Sequence, residues 1–165
     1  MNRALIPGTY DPVTLGHIDI IERASKVFSK VFVAVAASPH KGSGPLFSEE
    51  ERLEFIMDAV SNLPNVEVCL FSTLLVKFAE ELGVDSIVKG LRAVTDFEWE
   101  FQQASINYQL NRELETMFIM ANPRYMYLSS SMVKEIASLS GDISKWVTPL
   151  VEKKLRERFS APSVT

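Results

Sequence analysis

The residues best suited to chemistry come first in the segment 7–21, which reads PGTYDPVTLGHIDII. It contains His17, one of only two histidines, just after the point where Thr14 can begin a helix. The positive end of the helix dipole is expected to keep this imidazole neutral, so that it donates one hydrogen bond. Such a donor suits a phosphoryl oxygen that gains charge in a transition state. The alternative is a histidine that only caps or packs at a helix start.

Three small residues in the same segment add to this interpretation. Gly8 is expected to let the backbone turn tightly, and Gly16 to leave room where a ligand approaches closely. Thr9 offers a hydroxyl and an amide between them. The segment therefore predicts a phosphate-binding turn followed by a helix.

Further candidate anion-binding groups occur later in the chain. The serines 129–131 open a predicted helix, where free amides and hydroxyls can bind an anion, although a plain serine cap is the alternative. Lys89, Gly90 and Arg92 follow a predicted strand and are either site residues or a solvated basic turn. Lys41 lies in a glycine-containing loop and is either a mobile cation over phosphates or a solvated lysine.

Acidic and apolar candidates complete the set. Glu98 and Glu100 are two residues apart on a predicted helix, so they point to different faces and one of them could face the site. Leu74 and Leu75 follow another strand and form either core or an apolar wall for a ligand. Tyr10 could stack on a base, although packing is the more ordinary role of such an aromatic residue.

Five apolar segments alternate with helical patterns and must position these groups. Because covered strands of a parallel sheet read as continuous apolar runs, the pattern predicts a Rossmann-like doubly wound α/β fold with a five-stranded parallel sheet and helices on both faces. Ligands bind such sheets beyond the carboxyl ends of the strands, where strand order reverses, so the candidate groups should converge there. The predicted strands are 3–6, 31–37, 66–71, 86–91 and 115–121.

Composition narrows the class of protein. The 165 residues predict one domain over 1–165, with a frayed tail at about 160–165. A net charge of −4 argues against a nucleic-acid binder, and no apolar run reaches the roughly 20 residues of a membrane span. A strand directly after Met1 leaves no room for a secretory signal, so a cytoplasmic protein is expected. The single cysteine, Cys69, is expected to be a structural thiol in a buried strand.

The motifs PGTYDPVTLGHIDII, SPHK, KGLRAVTDFEWE and YLSSSMVKE together resemble those of bacterial phosphopantetheine adenylyltransferases, in order and at matching spacing from about residue 4 to 135. The T-x-G-H motif and the serine-rich helix start are shared across the nucleotidyltransferase superfamily, and GLRAVTDFEWE narrows the likeness to this family. The resemblance implies transfer of the adenylyl group of ATP to 4′-phosphopantetheine by direct in-line attack, giving dephospho-coenzyme A and pyrophosphate. It also implies Mg²⁺ on the ATP phosphates, a homohexamer, and inhibition by coenzyme A.

The resemblance further assigns roles to residues. It implies that Thr9 contacts both substrates, that Tyr10 supplies backbone groups to ATP, and that no protein side chain binds the metal. The implied catalytic residues are His17, which stabilises the transition state, Lys41 and Arg92. The implied ATP-binding residues are Thr9, Tyr10, His17, Gly90, Leu91, Arg92, Glu100, Tyr125, Met126, Tyr127, Leu128, Ser129, Ser130 and Ser131. The implied acceptor-binding residues are Thr9, Lys41, Leu75 and Lys89.

Two lysines bear on this resemblance. Lys89 stands where the family usually has arginine, so a point charge replaces a planar fork. Lys134 agrees with the family and is expected to offer a cation near the triphosphate. Two alternatives stay open: adenylyl or cytidylyl transfer to another acceptor such as nicotinamide mononucleotide, and a non-catalytic sensor of nucleotide or coenzyme A.

Overall fold

The structure is a computed structural model that describes residues 2–37, 44–92 and 94–160, so Lys41 and the tail 161–165 lie outside the described residues. The strands are β1 (Arg3–Gly8), β2 (Lys30–Ala36), β3 (Val66–Phe71), β4 (Ser86–Leu91) and β5 (Glu115–Met120). The helices are α1 (Leu15–Val27), α2 (Glu49–Ala59), α3 (Leu75–Leu82), α4 (Val94–Leu110), α5 (Ser130–Ser138) and α6 (Pro149–Ser160), and a short 3-10 helix spans Pro123–Tyr125.

The five strands form one parallel sheet in the order β3-β2-β1-β4-β5. This confirms the doubly wound fold, because the order reverses between β1 and β4. These two strands pair only through Ala4 with Ser86 and Leu5 with Ile87, whereas β1 and β2 pair along their whole length. A crevice therefore opens between the carboxyl ends of β1 and β4, which is where such sheets bind ligands.

Helices cover both faces of the sheet and enclose two apolar clusters. On one face α1 contributes Ile18, Ile21 and Ala24, which are buried as their helical spacing predicts, together with buried residues of α2, α5 and α6. On the other face α3 contributes Val76 and Ala79. Burying these side chains provides the main driving force that holds the helices on the sheet.

Local signals in the sequence set the helix ends. Ser48 and Glu51 form the expected capping box at the start of α2, each side chain bonding the other's backbone N–H. Gly83 ends α3 in the left-handed conformation at φ 59°, which only glycine adopts without cost. Helix α4 begins at Val94, two residues before the expected start.

One expectation about the strands is wrong. β3 lies at the edge of the sheet, so Cys69 is partly exposed instead of lying in a buried strand. Gly90 lies inside β4, within the predicted strand 86–91, and a Cβ added there would be 3.1 Å from Ile20 of α1. Glycine at this position therefore allows close packing of a helix on the sheet.

The last helix packs against the segment that leads into α2. Arg158 donates from Nη2 to both carboxylate oxygens of Glu51, at 2.9 and 3.0 Å, and from Nη1 to the carbonyl of Leu46 at 3.1 Å. Its guanidinium also lies over the ring of Phe47, 5.2 Å from the centroid. α6 thus holds the segment 46–51. None of the helices in the described ranges has both the length and the apolar character to cross a membrane.

Candidate active site

A cleft of about 480 Å³ lies at the carboxyl ends of β1 and β4. Its walls come from the ends of these strands, from the first turns of α1 and α5, and from one side of α4. Of the residues predicted for the site, it is lined by Thr9, Tyr10, His17, Lys89, Gly90, Arg92, Glu100, Tyr125, Leu128, Ser129, Ser130 and Ser131. Segments far apart in the chain therefore meet at one edge of the sheet.

The two ring nitrogens of His17 have different roles. The backbone N–H of Thr14 donates to Nδ1 at 3.0 Å, and the Thr14 hydroxyl lies 3.1 Å from the same atom. In return the Thr14 side chain accepts from the His17 N–H, so the two residues form a capping box at the start of α1. Because Nδ1 accepts a hydrogen bond, the proton of the neutral ring is on Nε2, which can donate to a ligand.

The neutral form of His17 is strongly favoured. Burial and, to a smaller extent, the nearby Arg92 guanidinium together lower the pKa of this imidazole to about 4. A neutral ring is also what the sequence predicts, but for a different reason, the helix dipole. Desolvation and a neighbouring cation are the causes here. The ring thus donates from Nε2 throughout the neutral pH range.

The Tyr10 ring packs against the His17 ring and is not available to stack on a nucleotide base. The Tyr10 side chain is buried, its hydroxyl donates to the carbonyl of Ile6 at 3.0 Å, and burial raises its pKa. The Tyr10 and His17 rings meet edge to face, with centroids 5.1 Å apart. Tyr10 itself adopts a left-handed backbone, at φ 52°, which is uncommon for a bulky residue.

This packing corrects the role expected for Gly8. Among the described glycines only Gly83 has a positive φ, so Gly8 is not needed for a tight turn. A Cβ at Gly8 would instead lie 2.9 Å from two ring carbons of Tyr10. Gly8 is therefore required because the Tyr10 ring covers it.

Thr9 is exposed at the cleft, and its backbone is held from behind. Arg52 of α2, which has no solvent exposure, donates from Nη1 to the carbonyl of Thr9 at 2.7 Å and to the carbonyl of Ala36 at 2.9 Å. One guanidinium thus ties together the segments that follow β1 and β2. Arg52 is not among the residues that the sequence patterns predicted for the site.

Asp11 is a second residue that the sequence argument missed. Its buried carboxylate accepts the backbone N–H groups of Leu46 and Phe47, each at 2.9 Å, and pairs with Lys134 of α5 at 2.6 Å. Lys134 does not line the cleft. Its cation is held by the buried Asp11 carboxylate, and its expected role near a triphosphate stays a prediction.

The three serines at the start of α5 have distinct hydrogen bonds. Ser129 is the N-cap and accepts the N–H of Met132 at 3.1 Å, so its own O–H can donate to a ligand. The Ser130 hydroxyl donates to the carbonyl of Pro12 at 2.7 Å. The amides of Ser130 and Ser131 are in the first turn and lack intrahelical partners. This turn can hold an anion through amides and the Ser129 hydroxyl.

Two cations come from the end of β4. Arg92 donates to the carbonyl of Leu128, just before the serines, and so links β4 to the start of α5. Lys89 forms an ion pair with Glu100 of α4, with 3.4 Å between Nζ and Oε2. Glu98 is exposed, so Glu100 is the one of the two glutamates that faces the cleft.

Several predicted site residues lie elsewhere. Leu75 packs against the apolar cluster under α3, and Leu91, Met126 and Tyr127 also do not line the cleft. Lys41 lies outside the described residues. Across the described ranges, no three or more His, Cys, Asp or Glu side chains are grouped to hold a metal ion.

The match to known proteins agrees with this architecture. The Cytidylyltransferase-like family model matches residues 5–136, which is more than half of the chain, so the chain belongs to this family. The family is part of the nucleotidyltransferase superfamily, and membership implies that the protein binds a nucleotide.

Two solved structures share the fold. One is described as a nicotinate-nucleotide adenylyltransferase from Vibrio parahaemolyticus, with 19% identity, a TM-score of 0.70, and coverage of 94% of this chain and 99% of that chain. The other is a lipopolysaccharide core biosynthesis protein from Thermoplasma volcanium GSS1, with 24% identity, a TM-score of 0.54, and coverage of 74% and 97%. At these identities the likeness concerns the fold alone.

Proposed function

We propose that this nucleotidyltransferase moves the adenylyl group of ATP to 4′-phosphopantetheine, giving dephospho-coenzyme A and pyrophosphate. The observation that carries the proposal is the meeting, in one cleft, of the His17 Nε2–H with the first turn of α5 and with Lys89 and Arg92. The choice of acceptor is supported by the segment KGLRAVTDFEWE, which resembles the corresponding segment of phosphopantetheine adenylyltransferases.

The reaction is an in-line displacement at the α-phosphorus of ATP. An oxygen of the acceptor phosphate attacks, a new P–O bond forms, and the bond to the bridging oxygen of the β-phosphate breaks, so pyrophosphate leaves. His17 donates from Nε2 to an oxygen that gains negative charge at the α-phosphate. Because the ring is already neutral and oriented by Thr14, it does not reorganise during the step.

The two substrates occupy opposite sides of Thr9. The first turn of α5 and Arg92 hold the phosphates of ATP, and Lys89 holds the acceptor phosphate. Lys41 is proposed as a further cation at the phosphates. These groups position the reactants and offset their charge without a covalent intermediate.

The side chains that line the cleft fit Mg²⁺ only as an ion that is bound to ATP. The carboxylate that lines the described cleft is Glu100, and it is already paired with Lys89. Mg²⁺ would therefore be carried by the ATP phosphates, as it commonly is. When bound, it neutralises phosphate charge.

The resemblance to phosphopantetheine adenylyltransferases also leads us to propose that the protein forms a homohexamer. Exposed apolar side chains on α4 support an interface on that helix; they are Phe97, Trp99, Phe101, Ile106, Tyr108 and Leu110. Light scattering of the purified protein tests this directly, and a monomer would contradict it. Inhibition by coenzyme A and a cytoplasmic location stay predictions.

The decisive experiment for the function is an acceptor comparison. Pyrophosphate release from ATP and Mg²⁺ is measured with 4′-phosphopantetheine, with nicotinamide mononucleotide, with nicotinate mononucleotide, and with no acceptor. The proposal expects release that depends on 4′-phosphopantetheine. Equal release with a pyridine mononucleotide, or none with 4′-phosphopantetheine, would overturn it.

A second candidate is adenylyl transfer to a pyridine mononucleotide. The similarity in fold to the structure described as a nicotinate-nucleotide adenylyltransferase, over nearly the whole of both chains, favours it. The same assay separates the two enzymes. A nucleotide sensor without turnover would bind ATP and release no pyrophosphate with any acceptor.

A further inference from the structure

We propose that Glu100 is a positioning residue for Lys89, so that the two side chains act as one unit on the acceptor side of the cleft. The inference rests on the proposed function and deepens it, because it concerns how the acceptor phosphate is recognised. It also changes the role of Glu100, which the family resemblance assigns to ATP.

The geometry of the pair carries this inference. Lys89 comes from β4 and Glu100 from α4, and both side chains line the cleft with Nζ 3.4 Å from Oε2. Only 24% of the Lys89 side chain and 19% of the Glu100 side chain are exposed. A pair this buried is screened less by salt than one on the surface.

The hydrogen bonding of Glu100 also supports coupling between Glu100 and Lys89. Oε2 is buried and has no hydrogen-bond partner among the residues that the structure describes, so the ammonium of Lys89 is the group there that compensates its charge. Removing the charge from one partner of a partly buried pair leaves the other uncompensated. Lys89 and Glu100 should therefore be coupled energetically.

An ammonium at position 89 gains more from an anchor than a guanidinium would. A guanidinium binds a phosphate through a planar fork, whereas an ammonium is a point charge on a flexible stem with three donors. The Glu100 carboxylate restricts this stem and leaves other Nζ donors for phosphate oxygens. Lys89 then lies between two anions, Glu100 and the acceptor phosphate, so that negative and positive charges alternate.

An anionic side chain directly against the triphosphate would instead repel it. In this arrangement the Glu100 charge is compensated by Lys89. The pair thus contributes to recognition of an acceptor that carries a phosphate, while Arg92 and the first turn of α5 remain for ATP.

The test compares Glu100→Gln with Glu98→Gln in the full chain. Glu98 is two residues away and exposed, so its variant is a matched control for loss of one negative charge on α4. Steady-state kinetics should show that Glu100→Gln raises KM for 4′-phosphopantetheine about tenfold, within the usual range of coupling between contacting residues. KM for ATP should change less than about twofold, which is near the limit of coupling for groups not in contact.

A double-mutant cycle removes the remaining ambiguity. In a Lys89→Met background, Glu100→Gln should have little further effect on KM for the acceptor. In a Lys89→Arg background its effect should be smaller than in the wild type, because the fork grips phosphate by itself. A purely structural role for Glu100 would give the same loss in all three backgrounds.

The outcomes are distinct. A rise in KM for ATP with an unchanged KM for the acceptor would overturn the inference and return Glu100 to the nucleotide side. Equal effects of Glu100→Gln and Glu98→Gln would also overturn it. Failure of the proposed function would appear already in the wild type, as no pyrophosphate release with 4′-phosphopantetheine.

Discussion

Thr14 donates its backbone N–H to Nδ1 of His17 at 3.0 Å, so the residue that caps α1 also orients the ring that faces the cleft. A histidine cap and a catalytic histidine were opposed interpretations of the sequence. Here one nitrogen serves the cap, and the other is left to donate to a ligand. A substitution at His17 must therefore be designed to separate the two roles.

Replacing His17 with Ala should lower kcat by about a hundredfold, the usual scale for deleting one donor to a developing oxyanion. ATP affinity, measured by titration calorimetry, should change little because the phosphates keep the α5 turn and Arg92. Turnover is measured as pyrophosphate release. Near-normal turnover in this variant would remove His17 from the mechanism.

The matched variant is His17→Gln, since glutamine is a natural partner at this position of a capping box. It should keep more folding stability than His17→Ala in a urea titration, yet lose turnover to a similar extent. If turnover instead followed stability across the two variants, the catalytic loss would be a consequence of the missing cap.

The depressed pKa of His17 predicts a specific pH dependence of stability. The folded-state pKa of about 4 lies below the ordinary histidine value of 6.5, so the unfolded chain binds a proton first as pH falls. The stabilisation is complete above pH 6.5 and is lost as pH falls from 6.5 through about 4.

Urea midpoints at pH 7, 5.5 and 4.5 test this dependence for the wild type and His17→Gln. Carboxylates titrate in both proteins, so the difference between the curves isolates His17. The wild type should lose stability more steeply than the variant in this range. Parallel curves would contradict a lowered pKa.

Gly8→Ala should destabilise the protein, because the new Cβ would lie 2.9 Å from the buried Tyr10 ring. Overpacking of this kind costs about 1–3 kcal/mol, and displacement of Tyr10 should also lower kcat through its contact with His17. Thermal or urea unfolding and turnover measure the two effects.

Gly16→Ala is the control for Gly8→Ala. A Cβ at Gly16 would make only ordinary contacts, the nearest with Cβ of Tyr125 at 3.4 Å. Stability should be unchanged or slightly higher, since alanine is favoured over glycine in helices. KM for ATP should rise, because the added methyl enters the cleft. A stability loss equal to that of Gly8→Ala would disprove the distinction.

Asp11→Ala should be among the most destabilising substitutions near the site. It leaves the N–H groups of Leu46 and Phe47 without their acceptor and Lys134 without its anion, and loss of a buried partner typically costs about 3–5 kcal/mol. Lys134→Met should cost less, since Asp11 keeps both backbone donors. Urea titrations rank the two variants, and the reverse order would show that an uncompensated Asp11 carboxylate costs more than the loss of both amide bonds.

Sequence patterns predicted the strands and several helix ends because the signals for these features are local. The apolar runs gave all five strands, and Thr14, Ser48 and Gly83 marked helix ends through the hydrogen-bonding and backbone preferences of those residue types. The meeting of segments at one edge followed from the rule for parallel sheets. The ligand contacts assigned to these residues stay predictions.

The residues that were missed depend on partners distant in the chain. Asp11 binds a segment 35 residues away and a helix 123 residues away, which no spacing reveals. Arg52 did leave a signal, since it lies at helical spacing from the buried Phe55 and Ile56 and so faces the core. The exposure of β3 could not be foreseen because strand order determines which strands are edges.

The contact between Arg158 and the segment 46–51 indicates that the structural unit around the cleft extends beyond the end of the family match. The match ends at residue 136, whereas Arg158 holds Leu46 and Glu51 from α6. The backbone N–H of Leu46 in turn donates to the Asp11 carboxylate. Asp11 follows Tyr10 in the sequence, and the Tyr10 ring packs against the His17 ring. A chain cut after residue 136 would keep the residues that line the cleft and lose the helix that braces it. We therefore expect the smallest unit that folds around the cleft to include α6.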